Sequence, residues 1–171
     1  MMREHLDARL HEVGLELHPE KTRVVYCKDA NRTGTAEHVQ FDFLGHTCRP
    51  RSNRNQWGEV FTGFSPAMSR SAATSIRQRI RRWRPAHWSD VPLEELSRWY
   101  SPAIRGWMNY YCRFHGSSFK IIANHLDDAL VRWAMRKHKR LRGHKTRARL
   151  WLAAKRRQQP RLFPHWCLPG T

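Results

Sequence analysis

The spacing of apolar residues changes period near residue 65, from two-residue alternation to a recurrence every three or four. Before that point, Leu6, Leu10 and Val13 fall at helical spacing, and Gly14 stands where a left-handed cap would close a helix over 2–13. The pattern therefore reads as opening inside an element. Leu15 to Leu17 and Thr22 to Cys27 read as short strands on either side of His18-Pro19-Glu20, the second supported by β-branched Val24 and Val25. After a polar stretch, Val39, Phe41 and Phe43 alternate with Gln40 and Asp42, which predicts a strand over Val39 to Cys48. Arg49 to Gly58 is read as a loop or hairpin tip, and Glu59 to Phe64 as the returning strand.

At Ser65-Pro66 a capping serine precedes a proline suited to the first helical position. Met68, Ala72, Ile76, Ile80 and Trp83 then recur at helical spacing. Further helices are predicted over Leu93 to Tyr100, from Ser101-Pro102 to about Phe114, over 118–139 as the longest, and over Lys145 to Arg157. The expected fold class is α+β: a small β-containing piece, 1–64, followed by a mainly helical bundle, 65–171.

Charge sharpens this picture. Thirty-two Lys and Arg against fourteen Asp and Glu leave a net charge of +18, so the surface carries a positive field and a polyanion is the natural partner. Hydrophobic residues make up 40% and tryptophans number eight, too much apolar surface for a disordered basic tail. No apolar run is long enough to span a membrane, and no leader with a cleavage site is legible, so a soluble, cytoplasmic protein is expected. Cys27, Cys48, Cys112 and Cys167 form no C-x-x-C, and they read as separate thiols rather than metal ligands.

Pro102, Arg105-Gly106-Trp107, Asn109-Tyr110-Tyr111, Arg132-Trp133 and Leu162-Phe163-Pro164-His165-Trp166 follow one another in a suggestive order. In these residues the helical region resembles the maturase-specific domain, also called domain X or the thumb, of group II intron-encoded reverse transcriptases. Gly14-Leu15-Glu16-Leu17 with Glu20-Lys21-Thr22, and Phe41-Asp42-Phe43-Leu44-Gly45 with Arg49-Pro50-Arg51, resemble the end of the same proteins' palm. The resemblance implies a primer-grip role for Phe43, Leu44 and Gly45, although Gly45 reads equally as a bulge. It also implies motif or core roles for Gly106, Trp107, Asn109, Tyr110, Tyr111, Trp133, Phe163, His165 and Trp166. Helical spacing places Trp107, Tyr110 and Tyr111 on one face, which favours core packing over base stacking.

Two departures qualify the resemblance. Ser101 stands where the family usually has Asn, and both residues cap helices. The family's polymerase centre holds Mg²⁺ on a Tyr-x-Asp-Asp turn upstream of the Lys-Thr segment, and that turn is absent from the sequence. Asp127-Asp128 fall within a predicted helix and are read as a solvated face, since two-metal chemistry needs carboxylates that converge on one phosphate. No catalytic residue, metal site or cofactor is expected in this chain.

What remains is binding chemistry. Arg77, Arg79, Arg81, Arg82 and Arg84 interleave the first apolar stripe as one cationic ridge. Arg136, Lys137, Lys139, Arg140, Arg142, Lys145, Arg147 and Arg149 form a denser second one. Lys21, Arg49, Arg51, Arg105, Arg113 and Arg132 complete the candidate contacts to nucleic acid. If roughly six to ten of these cations meet phosphates, affinity falls about 10³- to 10⁵-fold between about 50 and 200 mM salt. The expected function is that of an RNA-binding maturase-type domain that clasps group II intron RNA and assists its folding and splicing. In full-length relatives the same region steadies an RNA–DNA primer-template. Two alternatives stand beside it: the non-catalytic part of a split RNA-directed DNA polymerase completed in trans by another subunit, or an inactive remnant of a mobile element.

Overall fold

The computed structural model describes residues 2–29, 31–32 and 34–168. Along the chain come α1 (Met2–Glu12), β1 (Phe41–Phe43), β2 (His46–Arg54), β3 (Val60–Met68), α2 (Arg70–Trp83), α3 (Leu93–His115), α4 (Lys120–Lys137) and α5 (Lys145–Gln158). Short 3₁₀ turns at Pro85–His87, Gly116–Phe119, Lys139–Leu141 and Pro164–Cys167 punctuate the helical part. The strands form one antiparallel sheet in the order β1-β2-β3, so the fold class is α+β as expected.

Two compact units emerge. One takes Met1–Phe41 with Arg49–Phe64, and the other takes Asp42–Cys48 with Ser65–Thr171. In the first, α1 ends as predicted, with Gly14 at φ 74° and the Gly14 amide donating to the His11 carbonyl at 3.0 Å. Its apolar stripe is nevertheless largely open, with Leu6 and Val13 exposed. Residues 15–17 and 22–27 form no strands. Val24 is 80% exposed, and β-branched side chains without a neighbouring strand have no pleated surface to pack on. The loop expected over Arg49 to Gly58 shrinks to a tip around Asn55. The Asn55 Oδ1 accepts from the amides of Trp57 at 3.0 Å and Glu59 at 2.9 Å, so the strands run on almost to the turn.

The strand predicted over Val39 to Cys48 proves to be parts of two, β1 and β2, joined by Leu44 and Gly45. Both have positive φ, 47° and 77°, as a two-residue hairpin turn of the favoured twist requires. The helix start also moves. Pro66 lies within β3, at the sheet edge where a missing N–H is tolerated, and Ser69 rather than Ser65 caps α2 by accepting the Ala72 amide at 3.1 Å. The two helices predicted on either side of Ser101-Pro102 are one continuous α3. Pro102 is exposed, so the carbonyl deprived of its amide partner faces water, and the inward Ser97 and Ser101 hydroxyls bond to each other at 3.2 Å. With 23 residues, α3 rather than α4, which has 18, is the longest helix.

The core of the helical unit is built on α4. Ile122, Leu126, Ala129, Leu130 and Trp133 meet Ile76 and Ile80 of α2, Leu96, Tyr100 and Ile104 of α3, and Leu152 of α5 in one buried cluster. Each fully buried side chain of this size contributes about 1.5–3 kcal/mol, enough to hold a bundle whose surface charges repel. No helix among the described residues is long and apolar enough to cross a membrane.

Candidate nucleic-acid interface

Because Ile76 and Ile80 turn inward, α2 must carry Arg79, Arg81, Arg82 and Arg84 on the outside, and all four are exposed. Arg77 is half-buried and partly engaged, its Nε donating to the Ala73 carbonyl at 3.2 Å and its Nη2 to the Thr74 hydroxyl at 3.1 Å. Arg79 reaches over the Trp107 ring at 5.9 Å. Arg132 of α4 is exposed beside this ridge, sharing a cleft with Arg81 and Arg84.

The second ridge divides into two kinds of cation. Lys137 is spent on the fold: its Nζ donates to the carbonyls of Ser89, Asp90 and Val91 at 3.0, 3.2 and 3.1 Å and lies 5.5 Å from the Trp133 ring. Arg149 pairs with Asp128 at 2.8 Å. Arg136, Lys139, Arg140, Arg142, Lys145 and Arg147 are exposed with no carboxylate partner among the described residues. Lys145 and Arg147 occupy the first turn of α5, which has neither a side-chain cap nor an acidic residue. Cations there oppose the helix dipole, at a cost of about 0.3–1 kcal/mol each that a bound anion would reverse. Lys137, Arg140 and Lys155 add to burial in pushing the His138 imidazole below its ordinary range.

The motif of α3 splits between inside and outside. Trp107, partly buried against the core, stacks on Trp83 at 5.3 Å and 15°, and Trp83 stacks on Tyr100 at 4.4 Å and 3°. Tyr110 and Tyr111 both pack on the buried His46 ring, at 5.0 and 5.3 Å, and Tyr110, half-exposed, donates its hydroxyl to the Leu44 carbonyl at 2.7 Å. Arg105, Gly106, Asn109 and Arg113 lie on the exposed side. A Cβ at Gly106 would meet nothing, so packing does not demand glycine there. Gly45 is different: besides its turn conformation, a Cβ would lie 3.0 Å from the Tyr111 hydroxyl. Phe43 and Leu44, on either side of the turn start, are exposed.

The remaining motif residues are structural. Trp133 is buried and donates its Nε1 to the Trp88 carbonyl at 2.9 Å. Phe163, His165 and Trp166 are all buried. Asp127 is not the solvated residue its sequence position implied. Its Oδ1 lies 3.1 Å from His165 Nε2 and accepts the Trp166 Nε1–H at 2.9 Å, which ties the terminal segment to α4. Asp128 is likewise engaged by Arg149, whose hydrogen bond leads in holding its carboxyl below the usual range. Both aspartates are thus engaged within the fold, and no group of three or more His, Cys, Asp or Glu able to hold a metal ion occurs among the described residues.

In the first unit, Lys21 and Arg49 are exposed and Arg51 is half-buried. These three belong to the first unit, whereas the ridges belong to the second. The reading from sequence also passed over His125. It stands four residues before Ala129 and seven before Arg132, a helical spacing that was available as a signal.

Comparison with curated proteins and with solved structures gives no match. Comparison with protein families does: residues 73–151, which run from α2 into α5 and carry both ridges, match the family model of the group II intron, maturase-specific domain.

Proposed function

We propose that this chain acts in group II intron splicing as a maturase-type RNA-binding module, gripping structured intron RNA with its helical unit. The observation that carries this reading is the coincidence of the matched stretch with a surplus of unpaired cations. Arg81, Arg82, Arg84, Arg105, Arg113, Arg132, Arg136, Lys139, Arg140, Arg142, Lys145 and Arg147 are exposed without carboxylate partners among the described residues. Their backbone is fixed on helices, and on the short turns and caps between them, that share one core, so binding spends little on ordering the main chain that carries them.

The role is that of a binder rather than a polymerase. No Tyr-x-Asp-Asp occurs in the 171 residues, and the adjacent aspartates are occupied within the fold. The palm-like character of the N-terminal part, and any hold on an RNA–DNA primer-template, belong to the same proposal and await the same experiments. Filter binding to a structured group II intron RNA across a salt series tests the reading. The expected result is affinity that falls steeply with salt, by roughly 0.7–0.9 in log–log slope for every phosphate contacted. Salt-insensitive affinity, or primer extension by this chain alone with magnesium, would refute it.

A further inference from the structure

A cleft of about 240 Å³ lies where the end of α2, the Pro85–His87 turn and α4 meet. Its floor is apolar, with Ile80 and Ala129 buried, and its rim carries Arg81, Arg84, His87 and Arg132. No carboxylate lines it. Three guanidinium groups over an apolar floor repel one another, Asp128 acting on Arg132 from outside the cleft lining, and that arrangement suits a compact oxyanion.

A second observation concerns Arg84 itself. It closes α2 in the left-handed conformation, φ 48° and ψ 52°, with its amide donating to the Arg81 carbonyl at 3.2 Å. Glycine or asparagine is the usual residue at such a cap, because a Cβ crowds the neighbouring carbonyl there. Arginine at this position carries backbone strain that glycine would not, while its side chain reaches the cleft rim.

A third comes from His125, one turn before Ala129 on α4. Its Nε2 is buried with no hydrogen-bond partner. Burial first, then the charges of Arg132, Arg81 and Arg77, depress its basicity, while Asp128 opposes them. Two of the three rim arginines, Arg81 and Arg132, thus act together on the neighbouring imidazole of α4.

We propose that this cleft is a built phosphate site, in which Arg81, Arg84 and Arg132 hold one phosphate group. Its natural source is a backbone phosphodiester of the bound RNA, and in that respect the inference rests on the RNA-binding reading. Free phosphate offers the same chemistry and serves as the probe that separates the two.

The test uses the whole chain and two variants, Arg84→Gly and Arg140→Gln, the second removing an equally exposed charge from the other ridge. Glycine suits the left-handed cap, so Arg84→Gly should melt no lower than the wild type and rise by roughly 2–4 °C. The same variant should bind structured RNA roughly tenfold more weakly, as loss of a charge-assisted contact implies, against roughly two- to threefold for Arg140→Gln. Inorganic phosphate should shift the arginine Nε–H NMR signals of Arg81, Arg84 and Arg132 saturably, and leave that of Arg142 unmoved. Equal losses of RNA affinity in the two variants, or a phosphate response that does not saturate, would overturn the proposal. A wild type that fails to bind RNA would instead sink the reading of the preceding subsection, and the phosphate titration would then decide the cleft by itself.

Discussion

The ridge on α2 carries five cations and the ridge over residues 136–149 eight, and the fold engages them differently: on α2 only Arg77 is held by a carbonyl, and that of its own helix. On α2 the arginines stand over buried Ile76 and Ile80, and no carbonyl or carboxylate claims Arg81, Arg82 or Arg84. In the second ridge, Lys137 is absorbed by three carbonyls of the connector before α3, and Arg149 by Asp128. A cation count therefore overstates the binding surface wherever a helix end or a loop offers acceptors nearby. Geometry separates charges that hold the protein together from charges left for a partner.

That contrast can be broken most severely at the open charges. Replacing Arg140, Arg142 and Lys145 together by Gln should flatten the salt dependence of RNA binding by roughly 2–3 in log–log slope, while the melting temperature stays close to wild type. A changed melting temperature with an unchanged slope would place these three among the structural cations. Next in size is Asp127→Ala, which strips the acceptor from His165 and Trp166. It should cost about 2–3 kcal/mol in denaturant unfolding and raise hydrogen exchange in the segment 162–168 before the rest of the bundle. Lys137→Met keeps the aliphatic stem but abandons three carbonyls. It should cost about 1–2 kcal/mol, with the salt slope unaltered within error; a slope lowered as much as by Arg140→Gln would show that Lys137 reaches RNA after all.

The smallest expected effect is on acidification. His125 and His138 have lowered basicity in the folded protein, so the folded state binds fewer protons than the unfolded one as pH falls through the ordinary histidine range. The groups acting on His125 are Arg77 and Arg81 of α2 with Arg132 and Asp128 of α4; those acting on His138 are Lys137, Arg140 and Lys155. Stability contributed by keeping these rings neutral is present above the unfolded pKa, near about 6.5, and drains away below it. Thermal melts between neutral and mildly acidic buffer should show a decline that His125→Gln and His138→Gln each lessen.

Much of the helical part was legible because its signal is local. Ile76 and Ile80 with Trp83 mark one face of α2, and the stretch to Pro160 bounded α5 to within a residue. Elements that depend on distant partners were misread. Ser101-Pro102 carries the signature of a helix start, yet the buried Leu96, Tyr100 and Ile104 run through it as one stripe, and tertiary packing overrides the proline. Leu44-Gly45 was read as strand because its alternating neighbours continue the period, although a turn needs only those two residues to adopt positive φ. The roles of Asp127 and Lys137 were hidden for a plainer reason. Their partners lie 38 and 39 residues away for the aspartate, and 46 to 48 for the lysine, distances over which periodicity carries no information.

The column formed by Tyr100, Trp83 and Trp107 spans α2 and α3 with nearly parallel ring planes. Two indoles at that separation and tilt couple their electronic transitions, so the native assembly should carry an exciton signature in near-ultraviolet circular dichroism. That optical signal vanishes as soon as α2 peels from α3, which turns an ordinary packing contact into a built-in reporter of whether the arginine-bearing helix is seated.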